Sequence, residues 1–198
     1  MSTNINDKTI QNAVREKYAH VSRTIEGRFR YPTGRAGAEA LGYDPSLIRS
    51  APDELIDVFC GVGNPFSVGE IKPGEIVLDV GCGGGFDLYY SSNMIGAEGK
   101  LFGIDLTPEM IQRATRNLLL AGVTTAILKT ASSENIPFED TIFDVVTSNG
   151  VLNLSPEKEK TFSEIFRVLK PGGRLQFADM VLKEELPPEE MTAKAWSE

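Results

Sequence analysis

The chain has 198 residues, with 20 Lys and Arg against 28 Asp and Glu, for a net charge of −8. Hydrophobic residues at 41% and charged residues at 24% are the proportions of a soluble globular protein, and the length suits one domain with a small appendage. No apolar run reaches the ~18 residues of a membrane span, and Met1–Asn6 lack the basic-then-apolar layout of a secretory signal, so no membrane contact and a cytoplasmic location are expected. The acidity argues against nucleic acid as a partner, because neutralising phosphates takes a dense basic footprint. Cys60 and Cys82 alone build neither a disulfide framework nor a metal cluster, so no metal is expected.

Residues 1–60 hold eight basic and eight acidic side chains, so the excess of acid lies downstream. Ile10, Val14, Tyr18, Val21 and Ile25 recur at helical spacing behind Asp7, a candidate N-cap. Residues 27–45 carry Gly27, Pro32, Gly34, Gly37, Gly42 and Pro45 and read as a loop. A helix start is expected at Ser50-Ala51-Pro52-Asp53, and Gly61 to Pro65 breaks the chain again.

From residue 75 strands and helices alternate. Ile76–Val80, Leu101–Asp105, Ala126–Lys129, Phe143–Thr147 and Arg174–Val181 read as strands. Between them fall a helix from about Phe86, one opened by Thr107-Pro108-Glu109, and one opened by Ser155-Pro156-Glu157. The last is expected to bury Phe162, Ile165, Phe166 and Leu169 on one face and to stop at Pro171-Gly172-Gly173. Such alternation predicts an α/β fold: a doubly wound, mostly parallel sheet with helices on both faces.

The first strand ends in Gly81-Cys82-Gly83-Gly84-Gly85, where missing Cβ atoms let a ligand approach the backbone. Asp105 closes the next strand, where a carboxylate accepts hydrogen bonds from both hydroxyls of a ribose. A nucleoside site is therefore expected at the carboxyl end of the sheet. The dinucleotide fingerprint wants a small residue at the sixth position from Gly81, and Phe86 stands there. A phosphate-binding Gly-Lys-Ser/Thr is absent from the sequence.

Val77-Leu78-Asp79-Val80-Gly81-Cys82-Gly83-Gly84-Gly85 resembles motif I of the class I S-adenosylmethionine-dependent methyltransferases. Glu134-Asn135-Ile136-Pro137-Phe138, Phe143-Asp144-Val145-Val146 and Arg167–Gly173 resemble later landmarks of that family. The resemblance covers about residues 70–181 and implies S-adenosylmethionine as cofactor. Carried over residue by residue, it places Asp79, Gly81, Cys82, Gly83 and Gly85 along the methionine part. Asp105 falls on the ribose, with Leu106, Met110, Ser132 and Ser133 around the adenine and Asn149 nearby. It also divides the chain into an N-terminal helical cap or lid, residues 1–69, and a cofactor-binding domain, residues 70–198.

Val14-Arg15-Glu16-Lys17-Tyr18, Gly63-Asn64-Pro65 and Ser148–Pro156 narrow the resemblance to the arsenite methyltransferase-like branch. Those enzymes hold trivalent arsenic with cysteine thiolates, which suit a soft ion. Here Gly150 and Val62 stand at two of the cysteine positions. The expected partner is therefore a small-molecule methyl acceptor other than arsenite, with Asn64, Gly150, Asn153 and Cys60 as candidate contacts. Asn149 and Asn153 orient that acceptor or else cap backbone groups, and Cys60 is a lone ligand or a small buried hydrophobe. The sequence singles out no catalytic acid or base, and the lone His20 reads as a surface residue.

Members of the class usually add two strands after the fifth. With about seventeen residues beyond Val181, the sheet is expected to lack them, leaving an edge for a second copy of the chain or another partner to cover. Three functional readings follow: methyl transfer to an altered small-molecule acceptor, methyl transfer to a quinone-like or other apolar metabolite, or a cofactor-binding remnant without activity.

Overall fold

Asn6, rather than Asp7, caps the first helix: its side chain accepts from Lys8 N at 3.0 Å, and the helix runs Asp7–Val21 (α1). The computed structural model describes residues 6–183 together with Thr192, Ala195 and Trp196; residues 1–5, on which the reading of a missing signal rests, lie outside it. Ile10, Val14 and Val21 of α1 are buried, Tyr18 is half-buried, and His20 is exposed.

The stretch expected as a loop at 27–45 contains a second helix, Gly34–Ala40 (α2). Its glycines mark close packing as well as turns. A Cβ at Gly37 would stand 2.6 Å from Pro32 O, so only glycine lets this helix settle there. A third helix, Pro45–Ser50 (α3), is capped by Asp44, which accepts from Ser46 N and Leu47 N. Asp53–Ile56 (α4) and a 3-10 turn at Pro65–Val68 complete the N-terminal part.

The sheet then assembles from Ile76–Val80 (β1), Lys100–Asp105 (β2), Ile127–Thr130 (β3), Phe143–Asn149 (β4) and Leu169–Ala178 (β5). All pairings are parallel, in the order β3-β2-β1-β4-β5. Phe86–Ser92 (α5) and Pro108–Leu120 (α6) join β1 to β2 and β2 to β3, while Lys158–Val168 (α7) joins β4 to β5. Thr107 stands at the N-cap of α6 but makes no capping bond with its side chain, and Pro108 occupies the first turn.

Alternation along the strands separates two cores. Val77, Leu101 and Val145 face α2 to α6 together with Leu55, Phe59, Phe86 and Leu88; Leu78, Val80, Ile104 and Val146 face Phe143, Ile165 and Val168. Residues 34–69 thus share their core with one face of the sheet. Fully burying a side chain such as Leu88 contributes about 2 kcal/mol, and many such residues hold the layers together.

The fifth strand begins earlier than expected, directly after α7. Lys170 and the Pro171-Gly172-Gly173 turn fall within it as a register shift, Phe143 pairing with Leu169 and Val145 with Arg174. Lys170 Nζ lies 2.8 Å from Asp144, whose other partner is Ile76 N at 2.9 Å, so Asp144 fastens the base of three strands. The buried face of α7 is Thr161, Ile165 and Val168; Phe166, expected inside, is 82% exposed. Phe162 and Phe177 lie edge to face on the outside of β5, which is a free edge among the described residues.

Candidate functional site

Strand order reverses between β1 and β4, and ligands in such sheets bind beyond the carboxyl ends at that point. The Gly81–Gly85 loop leaves β1 there, held by Gly81 N and Cys82 N, which donate to Ile104 O at 2.8 and 2.9 Å. Gly81 has φ +75°, and a Cβ on it would lie 2.2 Å from Val151 Cγ2; at Gly83, φ +49°, a Cβ would meet nothing within 4 Å. One glycine is required by packing, whereas the other opens on empty space.

That space is a cleft of about 750 Å³, counting its open mouth. Asp105, Leu106 and Thr107 line it, with Ser132, Ser133 and Glu134 beside them, where Ala131 N donates to Asp105 O at 2.9 Å, and Leu154, Ser155 and Pro156 complete the wall. Gln11, Val14 and Tyr18 of α1 close over it. A second chamber of about 380 Å³ runs from it under the loop, past Asp79, Gly84, Asp87 and Phe59. Cys60, Gly81, Gly83 and Asn149 line both, and so mark the junction.

Asp105 is 9% exposed; its carboxylate accepts from Gly83 N at 3.0 Å and from Thr107 N at 2.8 Å. Burial pushes its pKa up to about 6, partly offset by those hydrogen bonds. Asp79 accepts from Thr147 Oγ1 at 2.8 Å and is held well above the usual carboxylate range by burial and then by Asp87. Asp87, raised to about 6 by burial, accepts from Tyr43 Oη at 2.8 Å and from Asn149 Nδ2 at 3.1 Å.

Asn149 is a clasp between distant parts of the chain. Its Oδ1 accepts from Val62 N and Gly63 N at 2.8 and 3.2 Å, and its Nδ2 lies 2.9 Å from Gly63 O. Gly150 faces the same loop: a Cβ on it would stand 3.3 Å from Val62 Cγ1. The two positions read from sequence as lacking cysteine are therefore spatial neighbours, and the Val62 side chain fills the gap.

Other sequence candidates fall elsewhere. Gly85 supports the loop from behind, against Ala114 and Leu118. Cys82 is buried, its thiol 3.0 Å from where a Cβ on Gly103 would be, so only its backbone belongs to the loop. Met110 is fully buried and does not line the cleft. Asn64 caps the 3-10 turn, accepting from Phe66 N and donating to Gly42 O. Asn153 donates its backbone N–H to Asp179 and leaves its Oδ1 buried without a partner among the described residues. Neither Asn64 nor Asn153 lines the cleft.

Sequence reasoning missed Gln11, Tyr43, Asp87 and Glu134. Glu134 is 5% exposed and accepts from Ser155 Oγ at 2.6 Å, which links to Thr161 and on to Ser133. Its place before Asn135-Ile136-Pro137-Phe138 was a usable signal; nothing local marks Tyr43 or Asp87. Arg167 anchors this wall by donating to Ile136 O, Phe138 O, Glu164 and Asp140. Trp196 Nε1 donates to Leu154 O at 3.0 Å, with Lys158 Nζ 4.7 Å from the ring centroid, so this late residue braces the same side.

A glycine loop at the switch point, an acid at the end of β2 and an adjoining chamber define a nucleoside-cofactor protein. The family described as a methyltransferase domain matches residues 71–198, and the chain belongs to the class I S-adenosylmethionine-dependent methyltransferases, on the arsenite methyltransferase-like side. It is similar to an arsenite methyltransferase of Halobacterium salinarum, 38% identical over 155 residues, covering 78% of this chain and 39% of that protein. It is also similar to a ubiquinone/menaquinone biosynthesis C-methyltransferase of Salmonella arizonae, 35% identical over 64% of this chain and 49% of the other. Among solved structures, an arsenic(III) S-adenosylmethionine methyltransferase from Chlamydomonas reinhardtii superposes with TM-score 0.61 at 28% identity, over 81% of this chain and 53% of that one. A SAM-dependent methyltransferase from Aquifex aeolicus gives 0.55 at 31% identity, over 76% and 82%. The chain thus spans about two fifths of the Halobacterium relative.

Among the described residues no helix is long and apolar enough to cross a membrane.

The cleft fits S-adenosylmethionine: a buried acceptor stands at Asp105, bare backbone at Gly83, and a chamber with two carboxylates beyond the junction.

Proposed function

We propose that this chain transfers a methyl group from S-adenosylmethionine to a small organic acceptor. Bound in the cleft, the cofactor supplies an electrophilic methyl on a sulfonium, which leaves as a neutral thioether when the acceptor's electron pair takes the carbon. The observation that carries this is the pairing of Asp105 with the open backbone at Gly83, three ångströms apart at the switch point. In this reading Asp105 accepts from the ribose hydroxyls, Ser132 and Ser133 flank the adenine, and Asp87 gives the second chamber negative charge for a methionine ammonium, whose approach would also favour the ionised form of Asp79. Gln11, Val14 and Tyr18 keep water from the reacting carbon. An acceptor that reaches the cleft already deprotonated, its proton given up to water, needs alignment at about 3 Å and no general base, and the exposed His20 is not at the cleft.

A second observation favours an apolar, quinone-like acceptor over arsenite. Val62 packs over Gly150 and Val151 over Gly81, so apolar groups occupy the wall beside the junction. Of the two cysteines, Cys60 alone has its side chain available there, and burial pushes its thiol up to about 12, away from the thiolate that trivalent arsenic requires. Calorimetric titration of S-adenosylmethionine into the chain and into Asp105→Ala tests the cofactor half. Saturable binding that weakens at least about tenfold in the variant is expected, the loss of a charged hydrogen-bond acceptor. Labelled methyl should then pass to an apolar acceptor and not to arsenite. Binding without transfer to any member of an acceptor panel would leave a cofactor-binding remnant; no binding by the folded chain would overturn the reading.

A further inference from the structure

Residues of α1 line the cleft, and one side chain of the cofactor-binding half reaches the end of that helix. Arg113 projects from α6, the helix that starts three residues after Asp105. Its Nη1 lies 3.4 Å from Ser22 O, the C-cap carbonyl of α1, and its Nη2 donates to Glu54 O of α4 at 2.9 Å. The last carbonyls of a helix lack intrahelical donors and carry the negative end of its dipole, so a guanidinium suits them. The planar fork of arginine also reaches two carbonyls on separate segments at once, which lysine does not. Its Nε is buried with no partner among the described residues, so the group sits there at a desolvation cost that its two contacts offset.

One turn further along α6, Asn117 is fully buried and donates to Gly84 O at 2.9 Å, while Ala114 and Leu118 back Gly85. The same helix face therefore carries both the glycine loop and the grip on α1. Opposite that grip, Gln11, Val14 and Tyr18 of α1 face Asp105 and Leu106 across the cleft. Lifting α1 would widen the way in and out for a ligand as long as S-adenosylmethionine.

We propose that Arg113 is the latch of the α1 cap, a positioning residue that sets how long the cofactor is retained. Opening breaks the contact at Ser22 O and swings α1 while α4, part of the packed core, stays in place. The inference rests on the cofactor site and is independent of the acceptor, so it survives if the acceptor reading fails.

The test is release of labelled S-adenosylmethionine, chased with excess unlabelled cofactor, from the full chain and from Arg113→Met and Arg113→Lys. Methionine keeps the apolar stem and removes every donor; lysine restores one. Release is expected to be about tenfold faster in Arg113→Met and about threefold faster in Arg113→Lys, the loss of about one charged hydrogen bond and part of one. Tryptic cleavage at Arg15 and Lys17 should rise in the same order with cofactor bound. A purely structural role would lower the melting temperature while leaving release from the folded fraction unchanged, and that result overturns the latch. If Arg113→Met fails to fold, Arg113→Lys decides alone: release and cleavage equal to those of the parent chain overturn the proposal.

Discussion

Asp105, the proposed ribose acceptor, ties recognition to a pH response. Its pKa near 6 lies above the ordinary value of 3.8 because burial disfavours its charge more than Gly83 N–H and Thr107 N–H favour it. A raised folded value means that its contribution to stability is fully present below 3.8 and is lost as pH rises through about 6. In the proposed reading cofactor binding runs the opposite way, because ribose hydroxyls would donate to the ionised form. Affinity is therefore expected to be flat above about pH 7 and to fall towards tenfold per unit below about 6, measured by calorimetry from pH 5 to 8. Asp87 titrates in the same range, so the control is Asp105→Asn, in which most of this slope should vanish. A slope unaltered in the variant would move the dependence to Asp87 and its partners Tyr43 and Asn149. Asp105 itself was legible in the sequence from its place after a strand; its titration was not, because burial depends on α1 and the 131–134 segment closing around it.

At the scale of elements, the β1–α5 connection separates glycines that fold the loop from those that leave room for a ligand. Gly81→Ala adds a methyl 2.2 Å from Val151 at φ +75° and is expected to cost about 2–4 kcal/mol in urea denaturation, strain and overpacking combined. Gly83→Ala, at φ +49° with open space, should cost about 1 kcal/mol in stability while weakening the cofactor more than Gly81→Ala does, since its methyl enters the cleft. Equal losses of affinity in both variants would contradict this division. The helices tell a similar story about sequence reading. The strands and the start of α6 follow from local period and Pro108, whereas α2 hid among glycines that read as breakers. They are there because Pro32 and Asp57 backbone pack against that helix, contacts that no local rule contains. On α7, Phe166 shares helical phase with Phe162, but the buried face turned toward Thr161, Ile165 and Val168 because Thr161 hydrogen-bonds to Ser155 and Ser133.

Across the whole molecule, the two edges of the sheet differ. β3 is short and carries Lys129, features that discourage pairing, while β5 spans ten residues and is flanked by Phe162, Phe166 and Phe177 at 42%, 82% and 44% exposure. Phe166→Ser is expected to leave stability within about 0.5 kcal/mol and to reduce light scattering at high concentration. A large loss of stability would mean that Phe166 is covered in solution.

What the sequence by itself determined is everything set by short-range geometry: the alternating elements and hence the parallel sheet, the loop after β1, and the acid after β2. Strand and helix periods and glycine's missing Cβ act within a few residues, so they can be read without coordinates. What only the tertiary structure decided is which distant segments meet. Val62 opposite Gly150, Tyr43 and Asn149 on Asp87, and Arg113 on Ser22 join positions 44 to 91 residues apart. Those pairings arise because residues 34–69 bury their apolar side chains in one core with the sheet, which brings the cleft lined by α1 together.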